Sequence, residues 1–212
     1  MDLIADMFSI VRAKDVVLSL IAGFAIGVFF LFIAQNIPTL AFIVNFKAIA
    51  IIGFGVLSLA GFLFVSALTN LTHIGFFLQF GKFALVGLLN TVIDFGILNF
   101  LIATTGIIAG IGIAVLNVMA FSVALLNSFF WNRLWVFEDR QDQGNISEFF
   151  QFMIVSIVAV AINTAIVYIT STVITAPFGL DQITWINLGK IVATAFSMVW
   201  NFVGYKFFVF KK

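Results

Sequence analysis

Long apolar runs alternate along this chain with short polar breaks. Six runs stand out, at about 16–34, 48–68, 83–103, 113–131, 152–173 and 186–205. A helix of about 20 residues rises far enough to cross a hydrocarbon core roughly 30 Å thick. Only a helix lets an isolated crossing satisfy its own backbone hydrogen bonds in lipid. The predicted fold is therefore an all-α integral membrane protein with six transmembrane helices.

The breaks are as informative as the runs. The longest polar stretch, 138–148, has the Asp, Gln and Gly content of a solvated linker. The segment 1–14 places Leu3, Ile4, Met7, Phe8, Ile10 and Val11 near helical spacing. It reads either as a short helix lying on the membrane surface or as a frayed tail. The first two runs, within 15–70, form a hairpin of their own. They carry Gly23 and Gly27 at a GxxxG spacing, which lets helix backbones approach closely. Their connection, 38–46, is unusually apolar for a loop and is expected to dip into the interface.

The second half of the chain is internally repeated without a gap. Asn90-Thr91 falls on Asn163-Thr164 (163 − 90 = 73), and Ala120 falls on Ala193 at the same offset. The ending Arg133-Leu134-Trp135-Val136-Phe137 falls on Lys206-Phe207-Phe208-Val209-Phe210. The copies occupy 78–138 and 151–211, and each holds two spans. Two hairpins of two spans share one orientation, so the last four helices are expected to form two parallel two-helix repeats about an axis along the membrane normal.

Composition agrees with this reading. The chain has 212 residues, 63% of them hydrophobic and 9% charged, where soluble domains carry about 25% charged residues. The net charge of +1 argues against nucleic acid as a partner. With no Cys and a single His, His73, neither a metal site nor thiol or His-based catalysis has the residues it needs. No phosphate-cradling Gly loop is present. The expectation is no cofactor, no metal and no enzymatic activity. If the N-terminus lies in the cytoplasm, the internal segments carry Arg12, Lys14, Lys82, Arg133, Arg140, Lys206, Lys211 and Lys212, and the external loops only Lys47. That bias predicts both termini inside the cell.

Polar residues within the spans are the candidates for chemistry. Asp94 lies 11 residues beyond Phe83, roughly 16 Å into the third span and near the bilayer middle. A carboxyl there costs on the order of 3 kcal/mol and must face protein or water. Lys190 either snorkels to the outer interface or reaches inward toward Asp94, across an axial gap of about 8 Å. The positions matching them in the other copy are Val167 and Asn117. Asn90 and Asn163 are identical between copies, and Asn99, Asn127, Asn132, Asn187 and Asn201 add further amides. Interhelical hydrogen bonding is the ordinary role of such Asn, and a polar cleft is the alternative. Arg133 and Lys206 close the fourth and sixth spans among Trp131, Trp135 and Tyr205. They read as positive-inside anchors or as two cations about one axis suited to a lipid phosphate.

The stretches FGKFALVGLLNTVID (80–94), NVMAFSVALLNSFFWNRLWVF (117–137) and YKFFVF (205–210) resemble the GtrA-like family of small membrane proteins. Asn90, Asp94, Asn132, Arg133, Trp135 and Phe137 match its pattern position by position, over 78–212 as a whole. The resemblance implies translocation of a polyprenyl-phosphate-linked sugar across the bacterial plasma membrane, for glycosylation of cell-surface polysaccharide beside a membrane-bound glycosyltransferase. In that reading Arg133 and Lys206 collect the lipid phosphate at the inner face, and Asn132 and Trp135 are further substrate-binding residues. Asp94, Lys190, Asn90 and Asn163 line the polar path. The usual family member has four spans, so the resemblance implies that the hairpin within 15–70 is an addition, suited to docking a partner or a second protomer. The rival reading is a non-transporting scaffold that recruits and orients the glycosyltransferase.

Overall fold

The computed structural model describes residues 10–136 and 146–204 and holds six α-helices, with no strand among the described residues. We label them α1 (Ala13–Ala34), α2 (Lys47–Thr72), α3 (Phe76–Thr105), α4 (Gly110–Trp131), α5 (Ile146–Tyr168) and α6 (Gln182–Gly204). Five helical stretches are long and apolar enough to cross a membrane: Ala13–Ala34, Ala41–Thr72, Phe76–Thr105, Gly110–Val136 and Met153–Val173. The sixth helix forms where the sixth run was expected but does not join that group. Gln182, Thr184, Asn187 and Lys190 interrupt its first three turns.

The helices overrun the apolar runs because the breaks are short. Between α2 and α3 only His73, Ile74 and Gly75 intervene, and His73 ends α2 in the left-handed conformation at φ 56°. The apolar connection before α2 winds into a 3₁₀ helix, Ala41–Phe46, with Phe42 and Phe46 exposed. Two π-helical turns follow longer helices: Asn132–Val136 after α4 and Ile169–Val173 after α5. The 1–9 part of the N-terminal segment and the linker at 137–145 lie outside the described residues.

The chain divides into two compact units, Met1–Gly96 with Ala124–Asp139, and Ile97–Val123 with Arg140–Lys212. Each of α3 and α4 contributes one part to either unit. In the first unit, α1 and α2 form an antiparallel hairpin held at the two glycines. A Cβ on Gly23 would lie 2.6 Å from the Phe54 carbonyl oxygen, and one on Gly27 would lie 2.7 Å from Ile51 Cα. Any larger residue would wedge the hairpin open, so the GxxxG spacing is spent on packing within the chain. Phe62 of α2, Val86 of α3, and Trp135 and Val136 of the π turn close this unit's core.

The second unit has a core of Leu98, Ile102, Ile113, Leu116, Val167 and Ile186, with Ala120 and Ala193 beside them. Both alanines are fully buried. Gly189 lets Thr170 of the π turn lie directly against α6. Large apolar side chains such as Leu57, Phe64, Ile111, Ile154 and Val199 stay exposed on the helices. In a membrane span such faces meet lipid and need no protein cover.

Candidate functional site

Polar side chains gather in one cluster of the first unit and one column of the second. In the first unit the centre is Asp15, in the opening turn of α1 and 1% exposed. Its Oδ1 accepts from Lys82 Nζ at 2.6 Å and from Trp135 Nε1 at 2.7 Å. Arg12 Nε donates to Oδ2 at 2.9 Å, and the Arg12 Nη2 donates to Oδ1 at 3.2 Å. Lys82, on α3, is also buried, and its Nζ lies 5.6 Å from the centre of the Trp135 ring. Burying an unpaired ammonium would be costly, and the carboxylate with its three donors balances that charge.

The π turn contributes directly to this arrangement. Its i→i+5 winding differs from the α-helical ladder, a deviation that recurs at functional sites. Here the Leu134 carbonyl accepts from Lys14 Nζ at 3.0 Å while Trp135 turns inward to Asp15. Asn132 Nδ2 donates to the Ser128 carbonyl at 2.9 Å, and its buried Oδ1 has no partner. Elsewhere in this unit Asn127 Nδ2 donates to Asn90 Oδ1 at 2.6 Å, tying α4 to α3. Asp94 is buried on α3 between Ile93 and Phe95, twelve residues and about 18 Å of helix rise from Lys82.

The column of the second unit is built on α6. Asn99 and Asn187 exchange amide hydrogen bonds of 2.7 and 3.0 Å. One turn on, Lys190 is fully buried and its Nζ lies 2.6 Å from Asn117 Oδ1. Snorkelling to an interface is therefore not the path its side chain takes. An ammonium has only donors, so the Asn117 amide must turn its oxygen to Lys190. Its Nδ2 then faces Asn163 Oδ1 and Thr164 Oγ1, each at 3.0 Å. Asn163 must in turn present its own oxygen, which leaves its buried Nδ2 without a partner. Thr194 Oγ1, four residues beyond Lys190, is a second buried polar atom without one. Further along α6, Ser197 Oγ donates to the Ala159 carbonyl at 3.1 Å and Trp200 Nε1 to that of Val155 at 3.1 Å.

Asn163 and Lys190 share the column through Asn117. Asn90 pairs with Asn127, and Asp94 lies in the first unit. Trp135, expected among the substrate-binding residues, is 1% exposed and donates to a carboxylate. Lys206 and the side chain of Arg133 lie outside the described residues. Asp15, Lys82 and Thr194 were not singled out from sequence. Asp15 and Arg12 are spaced for an i,i+3 ion pair, and that spacing was the signal available.

A helical membrane protein with Asp15, Asp94, Lys82, Lys190 and several Asn side chains buried, and a π-wound Asn-Arg-Leu-Trp-Val segment closing a span, belongs to the class of small multi-pass integral membrane proteins. The chain belongs to the GtrA/DPMS transmembrane-domain family, whose model matches residues 82–210. It is also 28% identical over 131 residues to the uncharacterized membrane protein YngA of Bacillus subtilis (strain 168), across 61% of this chain and 78% of that protein. No solved structure matches it. The family match begins at Lys82, so α1 and α2 fall outside it. The Asp15 cluster therefore joins two donors of the matched region, Lys82 and Trp135, to an acceptor from the N-terminal hairpin.

Proposed function

We propose that this protein moves a polyprenyl-phosphate-linked sugar from the inner to the outer leaflet of a bacterial plasma membrane, both termini facing the cytoplasm. The observation that carries the reading is the buried column Lys190–Asn117–Asn163. A donor left unsatisfied in a low-dielectric interior costs about 1–3 kcal/mol, so the Asn163 amide and the Thr194 hydroxyl are suited to oxygen atoms that arrive with a ligand. Sugar hydroxyls and a phosphodiester supply such oxygens. In this reading Asp94 and Asn90 also line the polar path, and Arg133 and Lys206 collect the phosphate at the inner face. α6 crosses the membrane with the rest, since 23 helical residues rise about 35 Å.

The reading includes the two parallel repeats. What supports them is that positions coinciding at the offset of 73 lie together. Lys190 hydrogen-bonds Asn117, its own counterpart. Ile113 and Ile186, and Ala120 and Ala193, share one core. Equivalent positions meet one another only close to a two-fold axis. The test is reconstitution. Liposomes holding the protein should transfer labelled polyprenyl-phosphate sugar between leaflets faster than empty ones, and Asp94→Asn should slow that transfer. Equal rates with and without protein would remove the translocation reading.

A further inference from the structure

In the first unit Ile26, Phe54, Gly61, Phe62, Gly81 and Leu88 help to line an apolar groove among α1, α2 and α3, with a volume of about 380 Å³. That lies within the roughly 300–1,000 Å³ usual for small-molecule sites. Along α3 the lining runs from Phe80 to Leu88, about 12 Å of helix rise. Gly61 keeps the groove open, because a Cβ there would meet no atom within 4 Å.

At one end the groove adjoins the charged cluster, which lies outside its lining. Phe62 in its wall packs on Trp135, ring centres 6.3 Å apart, and Gly81 precedes Lys82. At that end Arg12 and Lys82 close on Asp15, and Lys14 is held on the Leu134 carbonyl. Two cations, Arg12 and Lys82, thus pair with one carboxylate, and Lys14 precedes that carboxylate in sequence. Arg12 remains 51% exposed. An apolar trough ending in a cationic rim is the shape of a site for an amphiphile with an anionic head. The charge favours a phosphate monoester, which carries about −1.5 to −2 near neutral pH, over the single charge of a diester.

We propose that this groove binds the chain of a prenyl monophosphate, the carrier without its sugar, with the phosphate at the Arg12–Lys14–Lys82 rim. The inference rests on the reading that this protein handles prenyl-phosphate-linked sugars. It adds a second site, for the carrier that sugar transfer leaves behind, and it assigns the added hairpin a part in building that site. The groove is walled by α1 and α2, which lie outside the family match, together with α3.

The test uses the full-length protein in detergent micelles, with farnesyl phosphate, farnesol and phosphatidylglycerol as probes and native mass spectrometry as readout. Farnesyl phosphate should be retained at least tenfold better than either of the others. Gly61→Phe, which fills the groove, should weaken it at least tenfold, and Leu88→Trp should do the same from the α3 side. Arg12→Gln should weaken farnesyl phosphate and leave farnesol unchanged. Equal retention of phosphatidylglycerol or farnesol would overturn the proposal, as would unchanged affinity in both groove-filling variants. Binding in micelles involves no leaflet transfer, so its failure and that of the liposome assay are read separately.

Discussion

Removing the Asp15 carboxylate tests whether the added hairpin is locked to the family domain by a buried charge. Asp15→Ala deletes the acceptor of four hydrogen bonds from three residues, two of which lie on α3 and the π turn. At a surface such a pair is worth about 0–1 kcal/mol. With side-chain exposures of 1% for Asp15 and 6% for Lys82, the buried case applies. Breaking a buried pair by deleting one partner costs about 3–5 kcal/mol, because the ammonium is left without compensation. For a chain of this size each kcal/mol lowers the melting temperature by about 2–4 °C, so a fall of about 6–20 °C is expected. The double variant Asp15→Leu with Lys82→Met removes both charges at similar volume. It should recover about half the loss, since the Trp135 indole N–H still lacks an acceptor. Thermal unfolding in detergent, followed by circular dichroism, reads both variants. A melting temperature within 2 °C of wild type for Asp15→Ala, or a double variant no better than the single one, would refute the reasoning.

Three further outcomes are expected. Asn163→Leu deletes one hydrogen bond and also an unsatisfied donor, while Thr164 stays as an acceptor for Asn117, so stability should hold within about 1 kcal/mol while liposome transfer slows; unchanged transfer removes Asn163 from the path. Asn117→Lys should destabilise by setting two ammonium groups together. Adding Lys190→Asn, which swaps the two positions, should restore at least half of the lost melting temperature, and no recovery would count against the quasi-two-fold arrangement. Asp181 caps α6, accepting the Thr184 hydroxyl at 2.6 Å and the Thr184 backbone N–H at 2.9 Å, and these bonds hold its carboxyl below the ordinary 3.8. A depressed carboxyl stabilises above its unfolded value and loses that contribution as pH falls through the folded one. Asp181→Ala should therefore cost about 1 kcal/mol near neutral pH and progressively less below about pH 4, measured as melting temperature against pH.

The helices were legible because lipid imposes a simple length rule on apolar runs, and every expected run became a helix. The Asn residues were legible as interhelical glue, and Asn90 with Asn127, Asn99 with Asn187 and Asn117 with Asn163 play that part. What could not be read was the choice of partner. Lys190 had an open route to the interface. Which way its side chain turned depended on where α4 brought Asn117. Lys82 looked like one more positive-inside charge, because a cation at the edge of a span has the same local pattern whether it faces water or a buried carboxylate.

By itself the sequence determined that the chain is helical and multi-pass, where the helices fall, and to which family 82–210 belongs. Those properties follow from run length, hydropathy and local motif, which are fixed residue by residue. Tertiary structure alone decided that Asp15 of the added hairpin joins Lys82 and Trp135. It also decided that Lys190 reads the carbonyl of Asn117 and so forces the Asn163 amide to face outward from the chain of hydrogen bonds. Both depend on side chains 46 to 120 positions apart meeting in a low-dielectric interior. There every donor direction is dictated by its neighbour, and no local stretch of sequence contains that information.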